Sequence, residues 1–416
     1  MTAQRRYQTP HPRPESATVI FDLLRAYRQT TRTELARRSG LSKATVSEAI
    51  GLLLEQGFIR EIGKRQLGRG RSQIVIEFEP TTRLVLGAQL DDRVCTVVLA
   101  DLAAHPRARA IRPIVGTHPE AFLDALCDCV DELRARAEAP ILGLGVGAPG
   151  SVDPSGRTVL VSVPYGWKDV PIAALLEARL DLPVVAANRA KVAALGEFWQ
   201  GEHPGIDHLV YVFVGEGIVA GLILNGALYF GSAGGAGELG HVTVLPDGPV
   251  CGCGNRGCLH MLAAESAILK RRVRTLAREA ERRSLLAELT DGVLGRVSLD
   301  LLARAVDAGD GLALDVVAEA GTYLGLALAN VINLINPQRV VLGGPVARLG
   351  EPLLEAVRRE IRRRALGDAL SRLAIVPSTL GDAAGAIGAA ALFLESIETV
   401  GTILQANGLG GVAPPI

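Results

Sequence analysis

Apolar positions along the chain change their period twice. From Ala17 they recur at helical spacing, with Val19, Ile20, Leu23, Leu24 and Tyr27 on one face. The run "TRTELARRSGLSKATVSEAIGLLLEQGFI" then predicts two more helices. Thr31 and Glu34 have capping-box spacing, Gly40 makes a sharp turn, and Ser42 caps the second helix. Val46, Ala49, Ile50 and Leu53 of that helix face inward, and Gly57 ends it. Two helices joined by a short glycine turn form a helix-turn-helix. Period-two alternation follows at both ends of "FIREIGKRQLGRGRSQIVIEFEP", around a glycine-rich basic middle, and predicts a β-hairpin wing.

From Thr82 the texture becomes long apolar strands and alanine-rich helices. "RLVLGAQLDDRVCTVVLADL" reads as two strands and a turn, and "ILGLGVGAPG" as a buried strand ending in a Gly-Pro loop. "HLVYVFVGEGIVAGLILNGALYFG" gives strands parted by Gly215–Gly217 and then an Asn225-Gly226 hairpin turn. "RVVLGGPVARLG" and "LGDAAGAIGAAALFLE" add a late strand and a small-residue helix. Hairpins followed by strand–helix units, recurring in two halves, predict an α/β body of two lobes with a cleft between them. The expected divisions are a disordered tail over 1–14, a winged helix-turn-helix domain over 15–80, the two-lobed body over 81–395 and a tail over 396–416.

Charge sharpens this division. The 416 residues have zero net charge, yet residues 1–80 carry a net of +6 and the remainder −6. A basic head on an acidic body places any nucleic-acid contact at the N-terminus. Ser42, Lys43, Thr45 and Ser47 lie on the outer face of the second helix of the pair, where a recognition helix meets the major groove. Lys64, Arg65, Arg69 and Arg71 crowd the wing, whose "GRGR" tip suits phosphates or a narrow minor groove. The alternative is a three-helix unit used only for packing, which needs no such outer residues. No apolar run is expected to span a bilayer and no signal peptide opens the chain, so the protein reads as cytoplasmic.

Three of the six cysteines lie within 251–258. His241, Cys251, Cys253 and Cys258 make one imidazole and three thiolates, a closed set for structural zinc. Cys251 and Cys253 are too close in sequence for an ordinary disulfide, which leaves buried free thiols as the alternative. Cys95, Cys127 and Cys129 read as packing residues.

The segments "GAPGSVD", "GWKDVPIAALLEARLDLPV", "ANRAKVAALGE", "GGAGELGH", "CGCGNRGC" and "LGDAAGAIGAAAL" together resemble the ROK family of repressors and kinases, over about 82–395. Its repressor branch also carries a winged helix-turn-helix. The resemblance implies an actin-like (ribonuclease H-like, sugar-kinase) body with a sugar in the cleft and, in kinase members, ATP beside it. Kinases of the family read Glu-Asn-Asp where this chain has Ala187, Asn188 and Arg189. A guanidinium cannot take the proton that the aspartate takes. Gln89 stands at the first phosphate loop and Glu216 in the second. A carboxylate about 4 Å from a phosphate charge costs on the order of 4 kcal/mol at an effective dielectric near 20. No catalytic residue is therefore expected.

The family's sugar contacts map to Asn188, Glu238 and His241, while a further glutamate is replaced by His260. Arg189 and Lys191 would favour an anionic sugar. Alternatively Arg189 pairs with Glu238 or Glu216 across an empty cleft. The resulting expectation is a zinc-containing transcriptional repressor of carbohydrate genes. It would be a homodimer or homotetramer on a pseudo-palindromic operator, with a sugar or anionic sugar as effector. A sugar kinase fused to a DNA-binding head, and a DNA-binding protein governed by no ligand or by a protein partner, are the rival readings.

Overall fold

Phe21 is the centre of the head. The computed structural model describes residues 16–65, 72–91, 93–203, 205–273, 284–291 and 293–396. The expected tail over 1–14 lies outside these residues, as does the C-terminal one from 397 onward and the wing tip with Arg69 and Arg71. Helix α1 (Ser16–Tyr27) buries Ala17, Ile20, Phe21, Leu23 and Leu24. Tyr27 does not join that face as its spacing suggested. It is exposed on the last turn, under the Arg38 guanidinium at 3.8 Å, because the chain leaves the helix at Arg28, whose φ is +60°. Phe21 takes its place, edge-on to Phe58 and Phe78 at 5.5 and 5.6 Å.

Strand β1 (Gln29–Thr31) leads into α2 (Arg32–Ser39), where the Thr31 hydroxyl accepts from the Glu34 N–H at 3.3 Å. Gly40 closes that helix with φ +71°, a conformation that costs glycine little. Helix α3 (Lys43–Glu55) is capped by Ser42 and buries the four residues its period marked, Val46, Ala49, Ile50 and Leu53. Strands β2 (Ile59–Arg65) and β3 (Gln73–Phe78) complete an antiparallel sheet of order β1-β3-β2.

The body repeats one sheet topology twice. In the first lobe β4 (Leu84–Leu90), β5 (Val94–Asp101) and β6 (Pro106–Pro113) form an antiparallel meander. β7 (Ile141–Ala148) and β11 (Val184–Asn188) then add in parallel on the β4 side. Strands β8 (Ser151–Val152), β9 (Val159–Ser162) and β10 (Trp167–Val170) form a small side sheet. In the second lobe β12 (Leu209–Val214), β13 (Ile218–Leu224) and β14 (Ala227–Leu228) form the meander, and β15 (Arg339–Gly343) and β16 (Ala374–Pro377) add in parallel. Asn225 and Gly226, both with positive φ, make the expected hairpin turn.

Helices α4 (Pro119–Arg134) and α5 (Ile172–Leu180) cover the outer face of the first sheet. Helices α7 (Leu299–Asp307), α8 (Gly311–Ile335) and α9 (Glu351–Arg364) cover the second. Contrary to the sequence expectation, α8 is long and apolar enough to cross a membrane. Most of it is buried against the second sheet and α9, so it is a core helix. Between the sheets lie α6 (Arg189–Gln200) and α10 (Ala384–Ser396), in one apolar cluster with the inner sheet faces and the core of the head.

These two helices touch backbone to backbone. A Cβ on Gly388 would stand 1.6 Å from the Val192 carbonyl oxygen, and one on Gly196 would stand 2.1 Å from that of Ala384. Alanine normally improves a helix by about 1 kcal/mol over glycine. Here the sign should reverse. Gly388→Ala is expected to destabilise by about 1–3 kcal/mol in denaturant unfolding. Gly367→Ala, which meets nothing within 4 Å, should change stability by less than about 1 kcal/mol. Equal effects of the two substitutions would refute the close crossing.

Candidate functional site

In open sheets of this type the crevice lies beyond the carboxyl ends of the parallel strands. Asn188 is the last residue of β11 and the cap of α6. Its Oδ1 accepts from the Ala190 N–H at 2.9 Å and its Nδ2 donates to the Gly150 carbonyl at 2.7 Å. Arg189 and Lys191 follow in the first turn, both buried, at the end of a helix whose dipole disfavours cations. Each has compensation. The Arg189 guanidinium lies 3.6 Å from Asp91 Oδ1 and 4.7 Å over the Phe213 ring. Gln89 Nε2 donates to the other Asp91 oxygen at 2.6 Å. Lys191 Nζ donates to the Gly234 carbonyl and sits 5.5 Å from the Phe230 ring. Burial pulls the Lys191 pKa down, while the charge of Glu238 acts against that shift.

Arg189 is therefore paired with Asp91, and among the described residues neither Glu216 nor Glu238, the partners suggested by sequence, makes an ion pair with it. Glu216 and Glu238 are both exposed. Gln89 is a brace for Asp91 and fills the space beside Gly385, where a Cβ would meet its Oε1 at 1.2 Å. Asp91 and Phe213 belong to this cluster. Asp91 stands with Gln89 and Leu90 at the place of the family's first phosphate loop, with nothing in the sequence to pair it with Arg189, and Phe213 sits in an unbroken apolar strand that carries no mark of a cation above it.

Beyond the glycine loop, the four expected metal donors converge. His241 Nδ1, Cys251 Sγ, Cys253 Sγ and Cys258 Sγ all lie within 4.8 Å of one another. Two edges, Cys251 to His241 and Cys253 to Cys258, measure 3.7 Å. Bonds near 2.3 Å set a tetrahedral edge of roughly 3.8 Å, so the donors could hold a metal ion. The knuckle is tied by Cys251 N–H to the Asn255 carbonyl at 2.7 Å and by Gly254 N–H to that of Cys251 at 3.0 Å. A backbone N–H from Asn255 lowers the Cys253 pKa, whereas burial pushes that of Cys258 up to about 12. Cys95 and Cys129 are buried elsewhere, and the His260 ring stacks 6.2 Å from His241, lowered in pKa by burial and then by that neighbour.

On the head, Ser42, Lys43 and Ser47 are exposed, and Thr45 is half-buried. Ser42 and Thr45 hydroxyls lie 2.8 Å apart, so both belong to the cap as well as to the outer face. Lys64 is exposed on β2; Arg65 ends that strand, and its side chain lies outside the described residues with Arg69 and Arg71.

A family model described as the ROK family matches residues 92–396, and one described as the IclR helix-turn-helix domain matches 17–63. The xylose repressor of Caldicellulosiruptor bescii is 29% identical over 371 residues, covering 88% of this chain and 92% of its own. The DNA-binding transcriptional dual regulator NagC of Escherichia coli is 30% identical over 399 residues, 94% of each chain. A crystal structure of a ROK family transcriptional regulator, homologous to the E. coli Mlc protein, superposes with a TM-score of 0.81 at 25% identity, over 94% of this chain and 98% of its own. A glucokinase of Halalkalibacterium halodurans also matches, at 35% identity, but over 61% of this chain and 76% of its own.

Asp91 is a counter-charge to the buried guanidinium. Asp91→Asn is expected to destabilise the protein by about 1–3 kcal/mol, because Arg189 stays charged at all working pH. The double substitution with Arg189→Met should recover most of that loss in thermal unfolding. An unchanged midpoint in Asp91→Asn would show that the pair contributes nothing.

Proposed function

The chain belongs to the ROK family, and from that premise we propose that it is a sugar-responsive, DNA-binding transcriptional repressor whose kinase-like body performs no phosphoryl transfer. One observation carries this reading: Arg189 occupies the helix start at the cleft and is held there by Asp91 and Phe213. A buried, paired guanidinium cannot serve as general base. The exposed polar face of α3 and the similarity, over 88% and 94% of the chain, to a named repressor and a named dual regulator support the regulatory half. The protein would act in the cytoplasm as a homodimer or homotetramer on a pseudo-palindromic operator.

The effector is a sugar bound in the cleft near Asn188, Glu238 and His241. Commitment of Arg189 and Lys191 to Asp91 and the Gly234 carbonyl supports a neutral sugar over the anionic one suggested by charge alone. Thermal shift with D-xylose, N-acetylglucosamine, D-glucose and their phosphates tests this, since saturation at a hundredfold excess over Kd gives about 2.7 kcal/mol. Stabilisation by a phosphate alone would restore the anionic reading. ATP consumption above the enzyme-free rate with any of these sugars would end the non-catalytic one.

The metal is zinc in a structural role, supplying folding energy through His241, Cys251, Cys253 and Cys258. Elemental analysis should find one equivalent per chain, and Cys253→Ser should lower both zinc content and the unfolding midpoint. Zinc well below one equivalent in protein purified without chelator would refute this.

On DNA, Lys43→Ala and Ser47→Ala are expected to weaken the preferred duplex by about 1–3 kcal/mol and random duplex much less. Arg69→Ala and Arg71→Ala should weaken all duplexes and lower the salt slope by about one each. Anisotropy titrations across salt concentrations separate the two classes. Specific binding that survives deletion of residues 1–80 would show that the head is not the reader.

A further inference from the structure

Helix α6 carries a cleft residue at one end and a contact with the head at the other. Twelve residues span about 18 Å. At its start stand the capping Asn188 and the paired Arg189. In its last turn, Trp199 lies with its ring 4.7 Å beneath the guanidinium of Arg25 on α1. That guanidinium is 3.2 Å from Asp22 and donates to the Leu394 carbonyl of α10 at 3.4 Å. Trp199 Nε1 donates to Glu395, also on α10, at 3.1 Å. The Arg25 side chain is only 11% exposed, so this joint is built into the protein and is not a chance surface contact.

The second lobe acts on the same turn of α6. Glu197, fully buried, accepts from the Ser378 hydroxyl, the Thr379 hydroxyl at 3.0 Å and the Leu380 N–H at 3.2 Å, all just beyond β16. His203 closes the set at 3.1 Å. Movement of the second lobe relative to the first therefore pulls on α6 two residues from the ring that supports Arg25. Elsewhere the head is held by Arg83 over Phe58 at 5.7 Å and by the Leu102 N–H on the Pro80 carbonyl at 3.0 Å. Those contacts involve the first lobe and the linker, and neither is connected to the cleft by a single helix.

We propose that α6 is the element that transmits the state of the cleft to the DNA-binding head, and that Arg25 stacked on Trp199 is its output contact. The inference rests on the reading of the chain as a sugar-responsive DNA-binding protein. Closing or opening of the lobes shifts α6 through Glu197, the stack changes, and α1 carries that change into the head core through Phe21.

The test is a double-mutant cycle on the full chain, read by anisotropy with the duplex that the unmutated protein enriches from a random pool. Arg189→Ala perturbs the cleft and Trp199→Leu the joint. Alone, Arg189→Ala should change DNA affinity by about threefold or more, and on the Trp199→Leu background by less than about 1.5-fold. Equal fold-changes on both backgrounds, or no effect of Arg189→Ala, overturn the proposal. Arg25→Lys, which keeps the charge and loses the planar stack, guards against misfolding of Trp199→Leu and should lose the coupling in the same way. A second readout needs no DNA. The chain has two tryptophans, so in Trp167→Phe the emission reports Trp199 alone. Arg189→Ala should shift that emission, and an unchanged spectrum overturns the joint. If the unmutated protein enriches no duplex, the repressor reading fails while the fluorescence comparison still decides the joint.

Discussion

Everything in this molecule is arranged around the crossing of α6 and α10. Two sheets of identical strand order each need one inner face covered, and a single pair of helices covers both. That is possible only if the pair is thin. Gly196 and Gly388 reduce the separation to backbone contact, and Ala386, Ala389 and Ala390 keep the second helix slender against the first sheet. A layer of this kind packs at close to crystal density and has little room to bend. Displacement of either lobe therefore moves the helices as rods rather than being absorbed by side chains.

The charge at the head of α6 follows from the same geometry. A helix N-terminus at a strand end is a natural place for negative charge, and here the chain puts a guanidinium and an ammonium there. The offsets are local and include a carboxylate braced by Gln89, a carbonyl from the glycine loop, and two aromatic faces. This arrangement offsets both cations at the start of α6 without removing either from the helix end.

Much of this was legible in the sequence where short-range rules govern. The Thr31 and Ser42 caps, the Gly40 turn, the inward set of α3, the Asn225-Gly226 turn and the four metal donors are all determined within a few residues, and all lie as their spacing indicated. Misplaced residues depend on long-range partners. Tyr27 has the right period for the core, but the helix ends beneath it and Phe21 fills the space. Arg189 has two plausible carboxylates nearby in the motifs, yet its partner comes from a β4 loop about one hundred residues upstream. Helix α8 shows the same limit in another form, because composition alone does not distinguish a buried core helix from a spanning one. The head–body joint was invisible for a related reason: Arg25, Trp199 and Glu395 are unremarkable singly and acquire meaning only when three helices meet.

The knuckle of four potential metal donors and the start of α6 are also joined through one loop. His241 ends the turn Leu239–His241 that follows Glu238, and the glycine loop just before it supplies the carbonyl that holds Lys191. Gly237 is pressed against β13, where a Cβ would stand 1.9 Å from the Ala220 carbonyl oxygen, so the loop cannot drift while that contact holds. A metal ion held by His241 and the three cysteines would fix one end of the loop, and the close contact with β13 fixes the other. Lys191 is buried, which lowers its pKa, and its ammonium donates to that carbonyl. A metal ion held there would therefore set the position of a loop whose backbone accepts from Lys191 at the start of α6, the same helix on which the head rests.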